Sequence, residues 1–211
     1  MKNRLILISI LGAMAALLAT PASAQWYVGA GVGATETKIP SGVLPITGST
    51  ASSLSKDDSA TVYGLALGYD FTPVWALEGG YVDNGKFSAR RTSTAGTVGT
   101  LGAESKGTAW YAAGIGKFPL RNNIYLFGKL GAAATTTKTN LDTTGAVVLP
   151  AGTSTSRKKS ETNPLWGIGA GYDFTQSLGL RLDYTQILNV GDSSTGEGDV
   201  HTITVGLKYR F

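Results

Sequence analysis

The sequence predicts an all-β fold, an eight-stranded antiparallel transmembrane β-barrel with long extracellular loops and short periplasmic turns. Three observations predict it. Apolar residues alternate with polar residues or glycine through eight segments, the pattern of strands that separate two environments. The connections between the segments alternate long and short. The last nine residues, Ile203-Thr204-Val205-Gly206-Leu207-Lys208-Tyr209-Arg210-Phe211, alternate strictly and end on an aromatic side chain. Such a strand suits a closed sheet whose aromatic end meets a bilayer interface.

Residues 1–24 precede the predicted barrel. Lys2 and Arg4 supply a charged start, an apolar run at 5–18 follows, and Ala22-Ser23-Ala24 is a small-x-small cleavage site. This reads as a secretory signal peptide, because the run is short for a helical span of about 20 residues. Residues 25–211 are then one barrel domain, in which no other apolar run approaches that length. The chain has no cysteine, which excludes disulfides and a cysteine-linked lipid anchor. Without Lys2 and Arg4 the 18 basic residues fall to 16 against 14 acidic, a net of +2. That is no footprint for nucleic acid. The 29 glycines and the low charged fraction of 15% suit close packing inside a narrow barrel.

The first strand covers residues 25–37, with Trp26, Val28, Ala30, Val32 and Ala34 on one face and Gly29, Gly31 and Gly33 on the other. Residues 38–59 read as a long Ser/Thr/Gly/Pro loop. The second strand (60–71) puts Tyr63, Leu65, Leu67, Tyr69 and Phe71 on its apolar face. Thr72-Pro73 turns into the third (74–83), where Trp75, Leu77 and Tyr81 oppose Glu78 and Gly80. Residues 84–103 are the second long loop. The fourth strand (104–118) is apolar on both faces; the expected arrangement has Tyr111, Ala113 and Ile115 outward and Trp110, Gly114 and Gly116 inward.

A short turn at 119–123 leads to the fifth strand (124–136), with Ile124, Leu126, Leu130, Ala132 and Ala134 outward and Tyr125, Phe127, Lys129 and Gly131 inward. Residues 137–162 form the third loop. The sixth strand (163–174) turns Trp166, Ile168, Ala170, Tyr172 and Phe174 outward. The seventh (178–188) turns Leu178, Leu180, Leu182 and Tyr184 outward and Arg181 and Asp183 inward. Residues 190–199 are the fourth loop, and the eighth strand, expected to pair with the first, ends at Phe211. All four long loops, rich in Ser, Thr and Gly, are expected to be flexible.

Gly68-Tyr69-Asp70-Phe71-Thr72 recurs as Gly171-Tyr172-Asp173-Phe174-Thr175. The register continues, with Leu77 matching Leu180, Glu78 matching Arg181 and Tyr81 matching Tyr184. Two equivalent hairpins follow from it. Alternation alone does not say which face meets lipid, since a soluble barrel turns its apolar face inward. Here the polar face is mostly glycine. Tyr69, Phe71, Trp75, Tyr172, Phe174, Tyr209 and Phe211 also gather at strand ends beside the short turns, as a membrane-interface girdle does.

By these strands, turns and the closing Val205–Phe211 motif, the mature chain resembles the small outer-membrane β-barrels of the OmpA transmembrane-domain and opacity-protein type. The resemblance implies residence in the cell outer membrane of a Gram-negative-type bacterium. It implies insertion by the barrel-assembly machinery and a surround of outer-membrane lipid, including lipopolysaccharide. Two-domain members add a peptidoglycan-binding domain after the barrel; the expectation here is the barrel domain alone, so that activity is not implied. Members include adhesins, host-interaction proteins and structural envelope proteins, whose activities lie in loops without a shared motif.

Four features are candidates for chemistry. Asp70, Glu78, Asp173 and Asp183 balance Lys129, Arg181, Lys208 and Arg210 on the inward face, and buried charges must be paired. Glu78, Lys129, Arg181 and Asp183 are expected near mid-height, and Asp70, Asp173 and Arg210 nearer the periplasmic end. This network is a plug that fixes register, or a gate whose pairs swap to pass small ions. Arg90, Arg91, Arg157, Lys158 and Lys159 are candidate polyanion contacts in loops. His201 is the one histidine and Cys ligands are absent, so no His pair, His-rich metal site or zinc constellation is expected, and neither metal ligands nor catalytic residues are assigned; Glu197 and Asp199 are the candidates to orient its ring, with Ser193 and Ser194 in a loop. Gly29-x-Gly31-x-Gly33 lacks dinucleotide-loop spacing, and no cofactor is implied. The functional expectation is a structural or surface-interaction barrel, with a host or surface ligand at the loops. A narrow channel is the alternative, and a lipid-modifying enzyme the third.

Overall fold

The computed structural model describes residues 25–37, 47–57, 59–147, 155–190 and 198–211. The proposed signal peptide lies outside the described residues. Nine strands are present: β1 (Gln25–Thr37), β2 (Ser49–Asp57), β3 (Ser59–Asp70), β4 (Trp75–Gly96), β5 (Gly99–Pro119), β6 (Ile124–Gly145), β7 (Ser156–Asp173), β8 (Leu178–Val190) and β9 (Gly198–Arg210). All neighbours are antiparallel. Eight of them close a ring in the order β4-β3-β1-β9-β8-β7-β6-β5, with β5 returning to β4. The closing seam is the expected one: Ala34 faces Ile203, Val28 faces Tyr209, and the Phe211 amide donates to the Trp26 carbonyl at 3.0 Å. Closure leaves no edge within the membrane span.

The outward face is apolar. Leu65, Leu67, Leu130, Leu182, Ile203 and Leu207 are exposed, which is tenable only against hydrocarbon. On β6 the apolar band runs from Ile124 to Ala134, about 33 Å along the strand and about 25 Å in height at a tilt of ~40°. Aromatic residues bound it at the turn end. Tyr69 packs edge-on to Phe71, Tyr172 to Phe174 and Tyr209 to Phe211, with Trp26 against Tyr69 and Trp75 exposed. At the other end Tyr81 packs at a tilt against Trp110, and Trp166 packs edge-on to Tyr184.

The turns follow from local chemistry. Asn122 and Asn123 both have positive φ, 60° and 61°, a combination that the short amide side chain tolerates in a type I′ hairpin turn. In the two repeated turns a threonine hydroxyl receives two backbone amides. Thr72 Oγ1 accepts from Val74 and Trp75, and Thr175 Oγ1 from Ser177 and Leu178.

Two expectations are corrected. The described residues of the loops expected at 38–59, 84–103 and 137–162 are for the most part strand. β4 to β7 run on past the outer aromatic belt, and β2, within the first expected loop, pairs with the extension of β4 from Asp57↔Ser88 to Ser49↔Gly96. The result is a sheet of β2, β4, β5, β6 and β7 outside the membrane. Ser and Thr serve β-structure there: Ser105 meets Thr139 at 2.9 Å and Thr136 meets Ser160 at 3.0 Å.

The second correction is the orientation of the expected fourth strand. Trp110 is 66% exposed, whereas Ala113 and Ile115 are 2% and 1% exposed, so the faces are reversed. Ile115 joins Tyr27, Ala76, Tyr125 and Phe127 in a core inside the barrel. The outward Gly116 is covered by the Trp75 ring, which a Cβ there would meet at 3.3 Å.

Candidate functional site in the lumen and on the outer sheet

The lumen is packed by pairing large side chains with glycine across strands. Tyr27 opposes Gly68, Tyr111 opposes Gly80, Tyr125 opposes Gly171, Phe127 opposes Gly169 and Lys129 opposes Gly167. A Cβ at any of these five glycines would run into the large side chain opposite. In a narrow ring the glycines provide the volume that the rings and the lysine stem fill.

Charges occupy two tiers. In the upper tier Arg181 Nη1 donates to Glu78 Oε2 at 2.5 Å and Nη2 to Asp183 Oδ2 at 2.7 Å, while Lys129 Nζ lies 2.6 Å from Asp183 Oδ1. Tyr27 OH donates to Glu78 Oε2 at 2.7 Å and Tyr111 OH to Oε1 at 2.9 Å. Glu78 is 1% exposed, so its charge is compensated wholly by protein groups. The Arg181 guanidinium also lies 4.5 Å from the centre of the Phe127 ring.

In the lower tier Arg210 bridges the two repeat carboxylates. It lies 3.2 Å from Asp173 Oδ2 and 3.5 Å from Asp70 Oδ2, and Nη1 donates to the Gln176 carbonyl at 3.0 Å. Lys117 pairs with Asp70. Lys208 lies 3.8 Å from Asp173 and between the Tyr125 and Tyr27 rings, at 4.8 and 5.4 Å.

Between the tiers, around Tyr27, Ile115, Tyr125, Phe127 and Lys208, no water-sized space remains. Above the upper tier a cavity of about 100 Å³ lies against the glycines of β1, β3 and β9, with Glu78, Tyr111, Lys129 and Arg181 on its floor. All eight acids and bases named from the sequence line this interior. Lys117, Tyr27 and Tyr111 were missed. Lys117 carried a usable signal: a lysine within the span belongs inside, and its parity turns Tyr111, Ala113 and Ile115 inward with it.

The basic clusters stand differently from expectation. Arg90, Arg91, Arg157, Lys158 and Lys159 are on strands, where consecutive side chains point to opposite faces. Arg90 is exposed, while Arg91 lies on the other face and donates to Ser52 Oγ at 3.4 Å. Lys159 pairs with Glu161, and Lys158 faces away from both Arg157 and Lys159. Neither run, Arg90-Arg91 nor Arg157-Lys158-Lys159, therefore presents all its charges on one face.

The His201 ring has Tyr184 OH at 2.8 Å from Nδ1. Asp199 is engaged elsewhere, accepting from Gln186 Nε2 at 2.6 Å and the Asn189 amide at 3.1 Å. Ser193, Ser194 and Glu197 lie outside the described residues. Just above the belt, Asp83 accepts from the Gly85 amide and lies 3.0 Å from Lys106 Nζ. Partial desolvation raises its pKa, but the Lys106 ammonium and the Gly85 amide outweigh that and hold it below the usual aspartate value.

A family model described as OmpA-like transmembrane domain matches residues 21–211. The chain is similar to an uncharacterized protein of Coxiella burnetii, 28% identical over 205 residues, covering 86% of this chain and 82% of that one. It is also similar to outer membrane protein A of Salmonella typhi, 25% identical over 210 residues and covering 98% of this chain. It spans about half of that relative's length, 54%. Among solved structures, the outer membrane protein OprG of Pseudomonas aeruginosa superposes with a TM-score of 0.51 at 15% identity, over 89% of this chain and 95% of that one. That likeness concerns the fold alone.

Proposed function

The chain belongs to the OmpA-like transmembrane domain family and is a Gram-negative outer-membrane protein, and from that premise we propose that it is a sealed anchor presenting a surface-interaction sheet. The observation that carries this reading is the continuation of β4 to β7, joined by β2, beyond the lipid-facing band. A barrel that only filled space in the membrane would need no ordered sheet outside it. A small core of Phe87, Ala89 and Leu101 is buried within that sheet, so it offers a surface of defined shape. Its ligand is a host or surface component, and the barrel-assembly machinery inserts the ring below it.

The test compares a deletion strain complemented with the full chain or with a chain whose β4–β5 extension, residues 87–103, is replaced by a two-residue turn. Both chains are expected to give heat-modifiable barrels and equal detergent resistance of the cells, while only the full chain restores attachment to surfaces. Equal attachment by both would overturn the proposal. A second reading, a narrow channel, draws on the cavity above Glu78 and Arg181; it requires Arg181 to release Glu78 and the packed layer below to open.

A further inference from the structure

The strand register places four lysines on one line. Lys86 opposes Lys106 across β4 and β5, Lys106 opposes Lys138 across β5 and β6, and Lys138 opposes Lys158 across β6 and β7. All four are exposed. With strands about 4.8 Å apart the row is ~15 Å long. It stands on the face that meets lipid lower down: by steps of two, Trp110 leads to Lys106, Ala134 to Lys138 and Trp166 to Lys158. Lys86 belongs to the row because of one inserted residue. β4 takes three steps from Asp83 to Lys86 while β5 takes two from Thr108 to Lys106, and Gly85 at φ 72° forms the bulge.

Like charges directly opposed destabilise a sheet. Two acids offset part of this: Glu104 lies 2.9 Å from Lys86 and Asp83 3.0 Å from Lys106. Among the described residues Lys138 and Lys158 have no ion-pair partner, and they oppose each other directly. One pleat nearer the membrane runs a row of hydroxyls, Thr108, Thr136 and Ser160, in the same register. The lysine Cα atoms stand about 13 Å along the strand beyond Trp110 and Ala134, or about 10 Å in height. The polar headgroup layer is about 5–8 Å deep, and a lysine stem reaches back toward it.

We propose that this row, centred on Lys138 and Lys158 above Thr136 and Ser160, is a binding site for the phosphate groups of an outer-leaflet lipid, a phosphorylated glycolipid seated against the β4–β7 face. Phosphate between opposed ammonium groups cancels the repulsion that the register imposes and gives each lysine a charge-assisted acceptor. The lipopolysaccharide contact expected at arginine and lysine runs thus moves to residues that are neighbours across strands, of which only Lys158 was named. The proposal rests on the membrane setting of the barrel and is independent of what the outer sheet attaches to.

The test uses the full chain refolded in detergent and native mass spectrometry with bisphosphorylated lipid A, monophosphorylated lipid A and phosphatidylcholine as probes. The variants are K138Q/K158Q and the charge-matched R90Q/R157Q, whose residues are exposed but outside the row. At about fivefold per lysine near an anionic surface, K138Q/K158Q is expected to bind bisphosphorylated lipid A about 25-fold more weakly, with R90Q/R157Q within about twofold of wild type. Phosphatidylcholine binding should not change. K138Q/K158Q should keep its heat-modifiable migration, since it removes a repulsion. Equal losses in the two variants, or equal binding of bisphosphorylated lipid A and phosphatidylcholine by wild type, would overturn the site.

Discussion

Replacing Glu78 with alanine removes one carboxylate that serves three donors. Arg181 at 2.5 Å, Tyr27 at 2.7 Å and Tyr111 at 2.9 Å all lose their acceptor. Arg181 and Lys129 are then left to share Asp183, so the tier carries an uncompensated positive charge. Breaking a buried pair from one side costs about 3–5 kcal/mol, and each stranded hydroxyl adds about 1 kcal/mol. Water entering the adjacent cavity offsets part of the sum, which leaves about 4–5 kcal/mol. The double variant E78M/R181M restores neutrality with apolar volume and leaves only the two stranded hydroxyls, so it is expected to cost about 2 kcal/mol, less than either single variant, E78M or R181M, which leaves an unpaired buried charge. The assay is equilibrium urea unfolding from lipid vesicles, followed by tryptophan fluorescence and by the folded band on unboiled gels. Costs of E78M and R181M that add to that of the double variant within about 0.5 kcal/mol would refute the shared network.

Gly68→Val should lower stability by about 1–3 kcal/mol, because the Tyr27 ring occupies the space a side chain needs, whereas Gly29→Ala meets only ordinary contacts at 3.6 and 3.7 Å and should be nearly neutral; vesicle unfolding of both compares them. Thr72→Ala and Thr175→Ala each strand two turn amides and should cost about 1 kcal/mol apiece; unequal urea midpoints for the pair would argue against equivalent repeats. Asp83 has a depressed folded pKa. Its contribution is therefore complete above the ordinary aspartate value of about 3.9 and is lost as pH falls through the lower folded value. Melting of wild type and Asp83→Asn between about pH 6 and pH 2 should converge at the acid end, and curves parallel throughout would contradict the pairing.

The ring was legible because lipid on one side and a narrow lumen on the other impose period two on nearly every strand. The repeat was legible for a deeper reason. Glu78 and Arg181 occupy matching positions in the two copies, and they meet across the lumen at 2.5 Å. The expected fourth strand was misread because the rule of glycine inside fails where Trp75 covers Gly116 from outside and Ile115 fills the core. The outer sheet was misread because Ser, Thr and Gly signal loop and two-sided solvated strand alike. The lysine row was out of reach of the sequence. Lys86, Lys106, Lys138 and Lys158 become neighbours only through the register of three strand pairs, and the bulge at Gly85 shifts the face by one residue.

Planar-bilayer recording of the refolded protein reads whether the ring beneath the surface sheet is sealed by its own side chains. Electrically silent bilayers are expected from wild type and from Arg181→Ala alike, because Tyr27, Tyr125, Phe127 and Lys208 still close the lumen below the upper tier. A reproducible unitary conductance in wild type, altered by Arg181→Ala, would mean an open lumen and favour the channel.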